Sequence, residues 1–285
     1  MNESVAKAAV DDRARPFLKM HGLGNHFVIV DARRTPFRPT AEEIVAICDV
    51  HIGVGADQLV VIEPSAVATA FMRLYNVDGR EVGACGNATR CVAWLLLEEL
   101  GRDSVTVETL AGQLECRRAG EQRVACDMGP LRSDWESIPL SAAQDTQAIL
   151  LPDIALGPGV AVNVGNPHVV YFADEPATVD LAKLAPRIQS NPLFPEQVNV
   201  GLASVSDRHS MKLAVYERGA GLTRACGSGA CAAAFAARSR DLVDEGPVNV
   251  DLPGGRVVIE IIEAPPGSRA IMTGDVAFAY RGELL

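Results

Sequence analysis

The chain matches itself. A shift of 141 residues (226 − 85) lays Ala225-Cys226-Gly227-Ser228 over Ala84-Cys85-Gly86-Asn87, Gly165-Asn166 over Gly24-Asn25, Asn199 over Gln58 and Tyr216-Glu217 over Tyr75-Asn76. Past the Cys-Gly elements the offset becomes 143 (255 − 112): Gly255 falls on Gly112, and Val248-Asn249-Val250 on Val105-Thr106-Val107, as a short surface-loop insertion allows. Cys-Gly, Gly-Asn and amide-bearing positions rarely coincide by chance at one spacing, so the chain reads as a duplicated domain. A length of 285 residues agrees, at about 150 residues per domain. Whatever fold one half adopts, the other must repeat.

Hydrophobic patterning indicates what is repeated. Each Cys-Gly element runs into a Pro-free apolar stretch, containing Val92-Ala93-Trp94-Leu95-Leu96-Leu97 in one copy and Ala230 to Ala237 in the other. Helices without a polar face are expected to be enclosed. Strands are expected around Phe17–Met20, Phe27–Val30, Leu59–Ile62, Phe71–Tyr75, Val105–Val107, Gln113–Cys116 and Arg123–Cys126, echoed by Val248–Val250, Arg256–Ile259 and Ala270–Met272. Thr40 with Glu43 forms the signature of a capping box before a further helix. The fold class is therefore α+β, with two pseudo-symmetric domains, each a curved, mostly antiparallel sheet rolled around a central helix. Residues 16–130 form the first half and 131–274 the second. The polar stretch Leu131–Gln147 is the natural inter-domain region, and a final strand at Val276–Tyr280 is expected to return, so that 275–285 complete the first sheet.

Charge and cysteine usage narrow the function. A formal net charge of −10 argues against a nucleic-acid partner, since phosphate contact needs a basic face. Residues 1–15 read as an N-terminal extension without the apolar run of a signal peptide, and no stretch is long and uncharged enough to span a bilayer, so a cytoplasmic chain is expected. Seven cysteines without C-x-x-C spacing suit neither a disulfide framework nor a zinc ribbon. Cys48, Cys91, Cys116, Cys126 and Cys231 read as small core residues. Cys85 and Cys226 differ. Each stands at a helix N-terminus, where unpaired amides and the macrodipole push a thiol toward thiolate and can hold a carboxylate. Two thiols in matched settings suggest an acid/base pair.

The motifs Met20-His21-Gly22-Leu23-Gly24-Asn25, Gly55-Ala56-Asp57-Gln58, Asn76-Val77-Asp78-Gly79, Cys85-Gly86-Asn87, Gly165-Asn166-Pro167-His168 and Glu217-Arg218-Gly219-Ala220-Gly221 through Ala225-Cys226-Gly227-Ser228-Gly229-Ala230-Cys231 together resemble the diaminopimelate epimerase family. The resemblance runs from Phe17 almost to the end. It implies a cofactor-independent, homodimeric epimerase that interconverts LL- and meso-diaminopimelate on the route to lysine and peptidoglycan. Nothing around Lys7, Lys19, Lys183 or Lys212 singles out a Schiff-base site. Two thiols on opposite faces of the α-carbon supply base and acid instead, and their roles exchange with direction. The amides of Gly86, Asn87, Gly227 and Ser228 should hold the carboxylate beside the reacting carbon.

By the same resemblance Asn76, Asn166, Asn199, Glu217 and Arg218 recognise the second amino-acid head group, Glu217 facing its ammonium and Arg218 its carboxylate. Asn25 and Gln58 match substrate-contacting positions, and His168 and Glu217 match positions linked to catalysis. The chain departs from the family in His26, where Asp is common, and in Ala88-Thr89, where Gly-Ala is common. A racemase of another amino acid, such as a proline racemase-like enzyme, would share the thiol pair without the distal clamp. A cysteine hydrolase or a non-catalytic binding protein would have no use for paired thiols.

Overall fold

The computed structural model describes residues 14–265 and 267–284. Most of the N-terminal extension therefore lies outside the described residues. The first half runs β1 (Arg15–Gly22), β2 (Asn25–Asp31), α1 (Ala41–Cys48), β3 (Gln58–Glu63), β4 (Ala70–Asn76), β5 (Glu81–Val82), α2 (Gly86–Leu100), β6 (Ser104–Thr109), β7 (Gly112–Gly120) and β8 (Arg123–Pro130). The second runs β9 (Val160–Asn163), β10 (Pro167–Phe172), α3 (Leu181–Gln189), β11 (Asn199–Asp207), β12 (Ser210–Glu217), β13 (Gly221–Thr223), α4 (Gly227–Ser239), β14 (Pro247–Leu252), β15 (Gly255–Ala264) and β16 (Gly267–Asp275), followed by β17 (Ala277–Leu284).

The repeat extends to strand register. β2 pairs parallel to β3 with Phe27 opposite Gln58, and β10 pairs parallel to β11 with His168 opposite Asn199, the same register moved by the repeat. The parallel pair β4–β6 sets Ala70 opposite Val107, and its counterpart β12–β14 sets Met211 opposite Val250. Other pairings are antiparallel, and all strands join one continuous sheet through β8–β16, where Cys126 faces Met272. β17 returns to pair with β1, Phe17 opposite Gly282.

Each half wraps its sheet around one helix. α2 packs against β1, β6, β7 and β8, and α4 against β9 to β12 and β14 to β16. Cys91, Val92, Ala93, Leu96 and Leu97 of α2 are buried, as are Ala230 to Ala234 of α4. Six alanines among residues 230–237 keep most of this face of α4 small. Outside the sheets, α1 covers β3 and α3 covers β11, each under its own apolar layer. The capping box of α1 is formed: Thr40 Oγ1 accepts from the Glu43 amide (3.2 Å), and Glu43 Oε2 accepts from the Thr40 amide (2.7 Å). Leu131–Gln147 does more than connect. Its Ile138 and Leu140 are buried in the outer layer beside α3, and Arg132 bridges to Asn163 of β9. No helix among the described residues is long and apolar enough to cross a membrane.

Candidate active site

The two enclosed helices start toward one another. Cys85 is the N-cap of α2 (φ −148°, ψ 114°) and Cys226 the N-cap of α4 (φ −123°, ψ 106°), both with the extended backbone that turns a chain into a helix. Glycine after each cysteine leaves room for methionine side chains. A Cβ on Gly86 would lie 2.7 Å from Met272 Cε and 2.9 Å from Met128 Cε, and one on Gly227 would lie 2.9 Å from Met272 Sδ. The same Cβ on Gly227 would also come within 4.0 Å of the Gly86 Cα, so the first turns of α2 and α4 abut across the seam between the halves.

On the first-half side, Asn87 of α2 bonds across the seam. Its Nδ2 donates to Ala225 O (3.3 Å), the residue before Cys226, and to Asn25 Oδ1 (3.2 Å), which stands 3.6 Å from Cys85 Sγ. Asn25 is fixed in turn by Asp57, whose Oδ2 accepts from Asn25 Nδ2 (3.0 Å) and from the His26 amide (2.8 Å). Behind them Lys19 is buried, donating to Gly55 O and lying 3.1 Å from His26 Nδ1. Burial lowers the pKa of both Lys19 and His26, with Asp57 opposing. A neutral His26 can thus accept from Lys19.

On the second-half side, His168 Nε2 lies 2.9 Å from Asn166 Oδ1 and 3.0 Å from Ser228 Oγ, and Ser228 Oγ lies 3.7 Å from Cys226 Sγ. The Gly229 amide donates to Cys226 Sγ (3.4 Å). His168 is fully enclosed, and burial, helped by the charge of Arg218, holds its pKa at about 3. Near neutral pH the ring is uncharged, and its Nε2 joins Asn166 to Ser228.

Glu217 accepts from Thr223 Oγ1, its carboxylate reaches the Cys226 thiol, and its charge is felt by both cysteines. Glu217 therefore bears on the electrostatics of both thiols. The remaining polar residues form two pairs on equivalent strands, one in each half. Gln58 Nε2 donates to Asn76 Oδ1 (2.8 Å), leaving the buried Gln58 Oε1 without a partner among the described residues. Asn199 Nδ2 donates to Pro167 O (3.0 Å), and its Oδ1 accepts the Arg218 amide (2.8 Å). Arg218 Nη1 donates to Glu196 O (2.7 Å), and the residue is exposed.

The thiols differ from the sequence expectation in one respect. Both are pushed up, not down. Desolvation is the leading cause at each, and the Glu217 carboxylate adds to it. The amides of Ala88 and Asn87 and the Arg90 charge pull Cys85 back, and the Gly229 amide and Ser228 do so at Cys226, without winning. A helix start stabilises a thiolate only as far as burial permits, and both helices start inside the protein. Sequence reading also passed over Asp57, Arg90, Thr223 and Met272. Asp57 lay within a recognised motif; Arg90 carried no signal, because one arginine in an apolar helix reads as its solvent edge.

The sequence profile of diaminopimelate epimerase matches residues 17–133 and 160–279, most of both halves. The chain belongs to the diaminopimelate epimerase family. Among curated relatives of that name, the protein of Phenylobacterium zucineum is 47% identical over 275 residues, 95% of this chain and 98% of the relative. That of Rhizorhabdus wittichii is 50% identical over 268 residues, 94% of each chain. Solved structures agree on the fold at much lower identity. A Bacillus anthracis protein of the PhzF phenazine biosynthesis family superposes with a TM-score of 0.69 at 18% identity, covering 95% of this chain and 99% of its own. A hydroxyproline epimerase from Agrobacterium vitis does so with 0.64 at 16% identity, covering 95% and 91%. Those two likenesses support the duplicated fold alone.

Proposed function

We propose that this member of the family is an isomerase that interconverts LL- and meso-diaminopimelate by moving a proton between the α-carbon and two cysteines, with no cofactor. The observation that carries the reading is the pair of N-cap thiols, Cys85 and Cys226, on helices that begin face to face across one seam. One thiolate removes the α-proton while the opposite thiol delivers another to the other face, which inverts the centre. The α-carboxylate sits on the amides of Gly86, Asn87, Gly227 and Ser228, where the charge developing in the transition state finds oriented donors.

Glu217 then has a specific part. Its anion raises both thiols in the free protein. A substrate ammonium paired with it cancels that penalty, so the thiolate forms when substrate is in place. Gln58, Asn76, Asn199 and Arg218 take the distal head group, with the unpartnered Gln58 Oε1 suited to an ammonium and Arg218 to a carboxylate. His168 and Asn166 hold Ser228 and the start of α4 in place. In this reading the enzyme serves lysine and peptidoglycan synthesis in the cytoplasm and works as a homodimer, for which exposed Phe278 and Tyr280 on β17 offer an apolar contact.

The purified protein, given LL-diaminopimelate without added cofactor, should form the meso isomer. Replacing Arg218 by Met should raise KM for diaminopimelate at least about ten-fold, a loss of about 1.4 kcal/mol, while both thiols stay reactive. Racemisation of lysine or proline as fast as epimerisation of diaminopimelate would remove the distal clamp and favour a broader amino-acid racemase.

A further inference from the structure

We propose that Arg90 is a positioning residue for this reaction: a buried, uncompensated guanidinium that locks Asn87 across the seam and places a positive charge behind the Cys85 thiol. The proposal rests on the two-thiol reading above. Arg90 lies one turn into α2 and is 0% exposed. Its side-chain partners among the described residues are neutral: Nη2 donates to Asn87 Oδ1 (2.8 Å), Nη1 lies 3.3 Å from Met272 Sδ, and Nε has no partner. The sheets are shaped for it. A Cβ on Gly22 of β1 would lie 3.0 Å from Nη2, and one on Gly274 of β16 would lie 3.0 Å from Nε, so both strands give up a side chain to admit the guanidinium.

Such a charge does not serve the core. A buried cation without a counter-ion is costly, and an apolar residue of similar volume is commonly neutral or better there. What it does for the site can be read from Asn87. With Oδ1 held by Arg90, the amide has one useful orientation, Nδ2 outward to Asn25 Oδ1 and Ala225 O. Those two acceptors adjoin Cys85 and Cys226. Arg90 thus sets, through one side chain, the spacing of both helix starts. Its charge also favours the thiolate at Cys85, and it is felt by Cys91 on α2, Cys116 on β7 and Cys231 on α4. Opposing it at Cys85 is Glu217 of β12, whereas Asp127 of β8 is engaged by Arg269 at 2.8 Å.

Arg90→Met fills the space without the charge, and Arg90→Lys keeps the charge without the planar fork. Each would be compared with wild type for melting temperature, kcat, KM and the pH dependence of Cys85 alkylation by iodoacetamide, read by peptide mapping. Arg90→Met should melt at or above the wild-type temperature, lose kcat at least about ten-fold and move the Cys85 alkylation curve to higher pH by about one unit. Arg90→Lys should keep the alkylation curve and still lose kcat several-fold, because Asn87 is released. Wild-type kcat in either variant overturns the proposal. So does an Arg90→Met protein that fails to fold or loses stability in step with activity, since Arg90 would then serve the fold. A Cys85→Ala enzyme that stays active removes the two-thiol reading instead, whatever the Arg90 variants do.

Discussion

Cys85 and Cys226 occupy equivalent helix starts in unequal surroundings: Cys226 is 4% exposed and adjoins Ser228 and Glu217, whereas Cys85 is partly open and faces Asn25. Because burial raises both thiols, the free enzyme at neutral pH holds both protons, and one must leave before the α-proton can be taken. We expect kcat/KM to climb as pH rises above 7; a profile flat from pH 7 to 9 would contradict the raised thiols. His168 gives a prediction of opposite character. Its folded pKa of about 3 lies below the unfolded value near 6.5, so the unfolded chain binds the extra proton. The stability that follows is fully present above pH 6.5 and is lost as pH falls toward 3, at about 1.4 kcal/mol per unit. Urea titrations of wild type and His168→Gln between pH 7 and 4.5 should show the wild type losing stability more steeply. Parallel slopes would mean His168 is not held neutral by its burial. At this scale the repeat made Cys85 and Cys226 conspicuous in the sequence. It did not disclose their protonation, because that depends on walls contributed by the opposite half.

Helices and turns place these residues, and glycines let them meet. The turn between β1 and β2, with Leu23 at φ 57° and Gly24 at φ 79°, reaches over to the second half, where a Cβ on Gly254 would fall 2.1 Å from Leu23 O and 2.9 Å from Arg224 O. Neither neighbour is a side-chain end that can swing away. Gly254→Ala should therefore displace the turn that leads into Asn25, costing about 1–3 kcal/mol of stability and lowering kcat, whereas Gly157→Ala, with nothing within 4 Å, should leave both unchanged. Thermal melts and initial rates on the two variants check this. Element positions were legible in part: the apolar runs marked α2 and α4, and the repeat carried the strands after α2 onto those after α4, whereas α3 and β10 to β12 were not read. Less legible was Leu131–Gln147. Its polar surface residues mask Ile138 and Leu140, whose burial depends on α3 being packed opposite.

The whole molecule is two copies of one half, joined by the β8–β16 pair and by the return of β17 to β1, with a single seam. Under the proposed reading, duplication makes a two-base reaction possible, because it sets two similar thiols on helices that begin at one seam, each held by its own half. Neither half alone has both faces of the carbon. The proposed mechanism asks nothing of a metal or a carbonyl cofactor, so activity should survive dialysis against EDTA and treatment with hydroxylamine; loss restored by an added metal or pyridoxal phosphate would contradict it. The central claim is that each half supplies one indispensable proton-handling thiol. Its most direct measurement is the rate of LL- to meso-diaminopimelate conversion by purified Cys85→Ala and Cys226→Ala, beside their melting temperatures. The account predicts that each variant loses about 10³-fold or more in rate while melting within a few degrees of wild type. Near wild-type turnover in either variant would contradict it.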